Sequence, residues 1–194
     1  MTNPARNLVF ILILSALAPA FAAAAPVSPR AELKQLVAEL QTSPDNRALR
    51  EKIIKLALTL KPAPAVPEEA ERRMARGAAA IEGASSAEGF ADAVAEFKLT
   101  VNAAPWLAAG YFNLAAAQEK AGRPAEALMS LKLYLLAAPD AKDAEAVRAK
   151  VYKLEYAAEK AAKGASPEAQ RSKAERESGQ GSFSRGAALQ GREG

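Results

Sequence analysis

EGFADAVAEFKLTVNAAPWLAAGYFNLAAAQEKAGRPAEALMSLKLYLLAAP, residues 88–139, contains two passes of one pattern. Ala93 recurs as Ala127, Val94 as Leu128, Phe97 as Leu131, Val101 as Leu135 and Pro105 as Pro139, each 34 positions on. Between the passes, Tyr111, Leu114, Ala115 and Gln118 follow the three- and four-residue steps that place side chains on one helix face. A period of this length marks a helical hairpin that cannot bury its apolar side alone and stacks against its copies. The fold class expected from this stretch is all-α, a short helical-hairpin solenoid. Alanine, the strongest helix former, supplies much of the 50% hydrophobic content, whereas aromatics are only 6%. No run of β-branched and aromatic residues with two-residue alternation reads as a strand.

The combination Ala93-x-x-x-Phe97 with Pro105, joined to Tyr111-x-x-Leu114-Ala115-x-x-Gln118, resembles the tetratricopeptide repeat (TPR) over roughly residues 70–140. Tyr111 takes the Trp slot of that signature, Ala115 the Gly slot and Gln118 the final Tyr slot. The resemblance implies two TPR-like repeats over 68–139 with a core of Ala93, Phe97, Pro105, Tyr111, Leu114, Ala127, Leu131 and Pro139. It also implies a concave groove lined by the first helix of each repeat. By position, that groove holds Phe112, Asn113, Ala116, Glu119 and Lys120 from the second repeat, Ala78 and Glu82 from the first, and Lys150 and Lys153 from the last helix. Asn113 stands where some family members bind a peptide backbone or its terminal carboxylate. The paired basic residues of that clamp do not recur, since Ala146 occupies a place that needs Lys. Asn at this position also serves as a structural residue.

Upstream, residues 1–25 read as a secretory signal. Arg6 precedes the apolar run Leu8 to Ala18, Pro19 breaks it, and Ala20-Phe21-Ala22 or Ala22-Ala23-Ala24 fits the cleavage rule. The run falls short of the about 20 residues that span a bilayer, which favours cleavage over an uncleaved anchor. Residues 26–60 form an N-terminal helical pair. Ser28-Pro29 starts the first helix, with the stripe Leu33, Leu36, Val37 and Leu40; Ser43-Pro44 starts the second, with Leu49, Ile53, Leu56 and Leu60. This pair is out of register with the 34-residue period, so it is either a degenerate repeat or a capping hairpin. Three prolines make 61–67 an extended connector.

Beyond the connector, Ala70, Met74, Gly77, Ala78 and Ile81 give the inner face of the next helix. Gly77, at the position of Tyr111 one period earlier, implies close approach of a neighbour. Ser85 and Glu88 have capping-box spacing. Gly122-Arg123-Pro124 is a tight interhelical turn. Residues 140–163, starting near Asp140, form a capping helix with Val147, Val151, Leu154 and Ala158 inward. Residues 164–194 read as a disordered tail.

The chain has no His and no Cys. That removes imidazole bases, thiolate nucleophiles, disulfides and Cys/His zinc sites. No motif surrounds a Ser–Lys dyad, and no glycine-rich phosphate loop is present. Carboxylate pairs such as Glu68/Glu69 fit helix starts. The expectation is a non-enzyme without cofactor or metal. Scattered charges, 26 basic against 22 acidic, give no nucleic-acid patch. Protein binding is the remaining class: an exported, periplasmic or secreted adaptor for another protein or peptide, with no membrane span after signal cleavage. The alternative is a structural, self-associating or accessory subunit of an envelope complex, with homo-oligomerisation open. Trp106, Tyr134, Tyr152 and Tyr156 are read either as packing residues in the joints or as interface anchors.

Overall fold

A computed structural model of the chain describes residues 27–164. Among the described residues there are seven helices and no strand: α1 (Pro29–Thr42), α2 (Arg47–Thr59), α3 (Glu68–Gly83), α4 (Ala87–Ala103), α5 (Ala108–Lys120), α6 (Pro124–Ala137) and α7 (Ala144–Gly164). The signal and tail readings lie outside the described residues. Helices adjacent in sequence from α3 to α7 pack on one another in turn, the arrangement of a short helical repeat.

Local chemistry sets the boundaries. Ser28 caps α1, its hydroxyl accepting from the Ala31 N–H, with Pro29 at the first helical position. Glu68, Glu69 and Glu71 occupy the first turn of α3, complementing its dipole. Between α5 and α6, Gly122 adopts φ of +73°, open to glycine at little steric cost. The Gly122 N–H then donates to the Glu119 carbonyl and the Arg123 N–H to the Gln118 carbonyl, a Schellman closure that satisfies two helix-end carbonyls. Pro124 starts α6 immediately afterwards.

Three expected starts move. α2 begins at Arg47, not at Ser43-Pro44: Asn46 caps it, its side chain accepting from Leu49 N at 3.0 Å. Ser43 instead closes α1, its N–H donating to the Leu40 carbonyl, which lets α1 run far enough to bury Leu40. Ser86, not Ser85, caps α4 and accepts from Gly89 N. The carboxyl of Glu88 is held below its usual pKa by its own backbone N–H and by the Ser86 hydroxyl. α7 starts at Ala144 instead of near Asp140, because a turn over 138–144 intervenes and the Asp143 carbonyl accepts the first helical bond, from Val147.

The main core collects Ala93, Val94, Phe97, Val101, Tyr111, Leu114, Ala127, Leu131, Val147 and Val151. Pro105 is also buried, but Pro139 is exposed. The later proline is no core residue, since only one further helix follows it. Leu128 and Leu135 are half-buried where their counterparts Val94 and Val101 are buried, for the same reason. Tyr134 and Ser130 take up the burial on α6 instead. Ala78 and Ala158, expected inward, are exposed. Gly77 meets its expectation: a Cβ there would lie 2.6 Å from the Phe97 ring, so α3 and α4 approach too closely for any side chain.

The hairpin α1–α2 has a small core of its own, Leu33, Leu36, Leu40, Leu49, Ile53 and Ala57, with Trp106 packed against it. It does not extend the stack from α3. α1 packs on α4 and α2 on α6, so the pair lies across the second helices of the two repeats. Ile54, fully buried, joins the main core and links the two clusters. Its burial stabilises the docking by roughly 1.5–3 kcal/mol.

Candidate functional site

Side chains bridge the first helices α3, α5 and α7. Asn113 Nδ2 meets Met74 Sδ at 3.1 Å across α5 and α3, and Lys150 Nζ donates to Glu119 Oε2 at 2.6 Å across α7 and α5. The resemblance to the repeat family puts Asn113, Glu119 and Lys150 in one groove, and two of these, Asn113 and Glu119, touch the neighbouring first helices. Along α5, Phe112 and Lys120 are exposed, while Asn113, Ala116 and Glu119 are half-buried. Phe112 is 41% exposed, and its ring leans on Tyr134 with centroids 5.4 Å apart and planes tilted by 55°. The exposed edge is therefore held by an aromatic partner from α6.

Most polar groups of the face already have partners within the chain. Glu119 holds Lys150, Asn113 holds Met74, and Lys120 stands 5.0 Å over the Phe90 ring. Glu82 and Lys150 are exposed at the two ends. Asn113 is turned toward Met74 and stays half-buried. The face offers a fixed apolar ring with charges on either side, and no convergence of acid, base and nucleophile. Among the described residues, no group of three or more His, Cys, Asp or Glu side chains is gathered as metal ligands would be. No helix among them is long and apolar enough to cross a membrane.

Tyr134 is buried and its hydroxyl donates to the Asp143 carboxylate. That bond, with burial second, pushes its pKa up to about 12. Tyr111, also buried, donates to the Pro105 carbonyl at 2.8 Å; burial raises it to about 12 against the opposing pull of Arg50. Tyr152 and Tyr156 are 64% and 69% exposed, one turn apart on the side of α7 opposite Val147 and Val151. Trp106 is half-buried against the hairpin core, and its Nε1 is buried without a hydrogen-bond partner.

One residue that sequence reasoning passed over is central. Arg50 of α2 is only 7% exposed and crosses to the end of α4. Its Nη1 donates to the Val101 carbonyl at 2.7 Å, and its Nη2 to the Pro44 carbonyl and to Asn102 Oδ1, both at 2.6 Å. A cation at a helix C-terminus complements the dipole and satisfies an orphan carbonyl. In sequence, Arg50 stands beside an ordinary apolar stripe and carries no signal of burial.

No family model matches the chain, and no curated protein or solved structure matches it either.

Proposed function

We propose that this protein is a non-catalytic adaptor of TPR type, working in the cell envelope or outside the cell, that holds a partner protein or peptide on the face formed by α3, α5 and α7. The observation that carries this reading is Phe112: a large apolar ring of α5 left 41% exposed and braced by Tyr134. Aromatic anchors of this kind dominate protein interfaces. The Lys150–Glu119 pair and Lys120 then form a charged rim around it.

The test is a pull-down from an envelope extract with wild-type mature protein and the Phe112→Glu variant, folding being checked by circular dichroism. A defined partner retained by the wild type and lost by the folded variant supports the reading. Equal capture by both, or none by the wild type, defeats it.

Tyr152 and Tyr156 support a second reading, an accessory or self-associating subunit joined through the outer side of α7. Sizing by light scattering distinguishes the two. An oligomer dissolved by Tyr152→Ser with Tyr156→Ser, and indifferent to Phe112→Glu, favours assembly over peptide capture.

A further inference from the structure

Where the N-terminal hairpin meets α4, α5 and α6 there is a cavity of about 330 Å³ whose lining does not include Phe112. That volume sits at the lower end of the range for small-ligand sites. Val101, Leu114 and Leu133 supply apolar wall, and Arg50 supplies a charge. Arg50 is 7% exposed, and among the described residues it forms no ion pair. Of the two carboxylates that line the cavity, Glu126 pairs with Lys98 at 3.1 Å and Asp45 lies exposed at the mouth. Three of the five guanidinium N–H groups go to neutral acceptors, which satisfy hydrogen bonding without cancelling the charge. A buried charge lacking a counter-ion is costly, and an anion beside it recovers that cost. Gln118 and Ser130, also on the wall, bond to each other at 2.7 Å and leave the cation as the group without a match. At the rim, Arg47 Nη1 meets Met129 Sδ at 3.0 Å, and Met129 is 47% exposed, which sets the way in between α2 and α6.

We propose that this cavity binds a carboxylate bearing an apolar group, its anion toward Arg50 and its apolar part against Val101, Leu114 and Leu133. Such a group belongs equally to a small organic acid and to the last residue of a peptide. The site is independent of the face around Phe112.

The experiment titrates N-acetyl-leucine and N-acetyl-leucinamide into the 26–194 protein, followed by calorimetry and by amide NMR shifts. The acid binds, moving signals of residues around Arg50 and Val101, and the amide binds at least about tenfold more weakly, as loss of a charge-assisted hydrogen bond requires. N-acetyl-Ala-Ala-Leu with a free C-terminus then separates the sources: tighter binding than the single residue assigns the site to peptide ends, weaker binding to small acids. Met129→Trp, which fills the mouth, and Arg50→Met both abolish binding of the acid; should Arg50→Met not fold, Met129→Trp decides. Equal affinity for acid and amide, no binding of the acid by about 10 mM, or full binding by Met129→Trp overturns the proposal.

Discussion

In α3–α4, Gly77 leaves its place empty and the Phe97 ring fills it; 34 residues later, in α5–α6, Tyr111 stands where Gly77 was and Leu131 stands where Phe97 was. Both larger members are essentially buried, at 1% exposure each. Each repeat thus combines one large ring with a smaller partner, but the ring comes from the second helix in one and from the first helix in the other. Interiors are packed to near-crystal density, so conserving volume across a facing pair matters more than keeping either residue. The two repeats also differ in the elements that cover them. The N-terminal hairpin packs on both, but the first is followed in the stack by the whole second repeat and its closing Pro105 is buried; the second has only α7 beyond it, and Pro139 is exposed.

The harshest way to break the comparison is Phe97→Ala. Gly77 has no Cβ with which to fill the space, so the cavity persists and stability falls by about 3–5 kcal/mol, measured by urea unfolding. Alkaline titration separates the repeats next, because both tyrosines held near pKa 12 belong to the second one. A tyrosine whose folded pKa exceeds its ordinary value near 10 contributes stability that is complete below pH 10 and lost as pH rises through about 12. For Tyr111 the loss is on the order of 2 kcal/mol. Stability measured from pH 9 to 12.5 falls across that window, and the fall becomes shallower in Tyr111→Phe and in Tyr134→Phe.

Smaller in size but sharper in meaning is Gly77→Ala. The new methyl meets the Phe97 ring inside contact distance, and the strain of about 1–3 kcal/mol exceeds or cancels the roughly 1 kcal/mol gained in helix propensity. In a Phe97→Leu background, which copies Leu131, the same substitution becomes stabilising; a double-mutant cycle reads the coupling, and additivity within about 0.3 kcal/mol would break the volume-exchange account. Least of all, Pro139→Ala changes stability by less than about 0.5 kcal/mol, whereas Pro105→Ala costs more, because only the Pro105 ring is buried.

Much of this was legible in the sequence because it is local or periodic. The all-helical class, the glycine turn at Gly122 and the tight approach at Gly77 follow from spacing and from what glycine permits. The starts of α2 and α4 shifted because nearby capping residues, Ser43 against Asn46 and Ser85 against Ser86, are near-equal competitors, and that of α7 because a turn intervenes after α6. The α5 face was carried over from the family resemblance, yet its polar pairing (Asn113 with Met74, Lys150 with Glu119) depends on distances between helices that a resemblance in sequence does not encode.

The 34-residue recurrence, the apolar stripes and the absence of His and Cys are properties of the chain taken in order, and they determined a stack of α-hairpins and a meagre stock of catalytic groups. Where the first hairpin docks is a different kind of fact. It lies across α4 and α6, buries Arg50 against the end of α4 and borders a cavity there, because the Arg50 side chain met a backbone carbonyl 51 positions away and a side chain 52 positions away. Burial of a charge is a property of all that surrounds it, and only the tertiary structure assembles those surroundings.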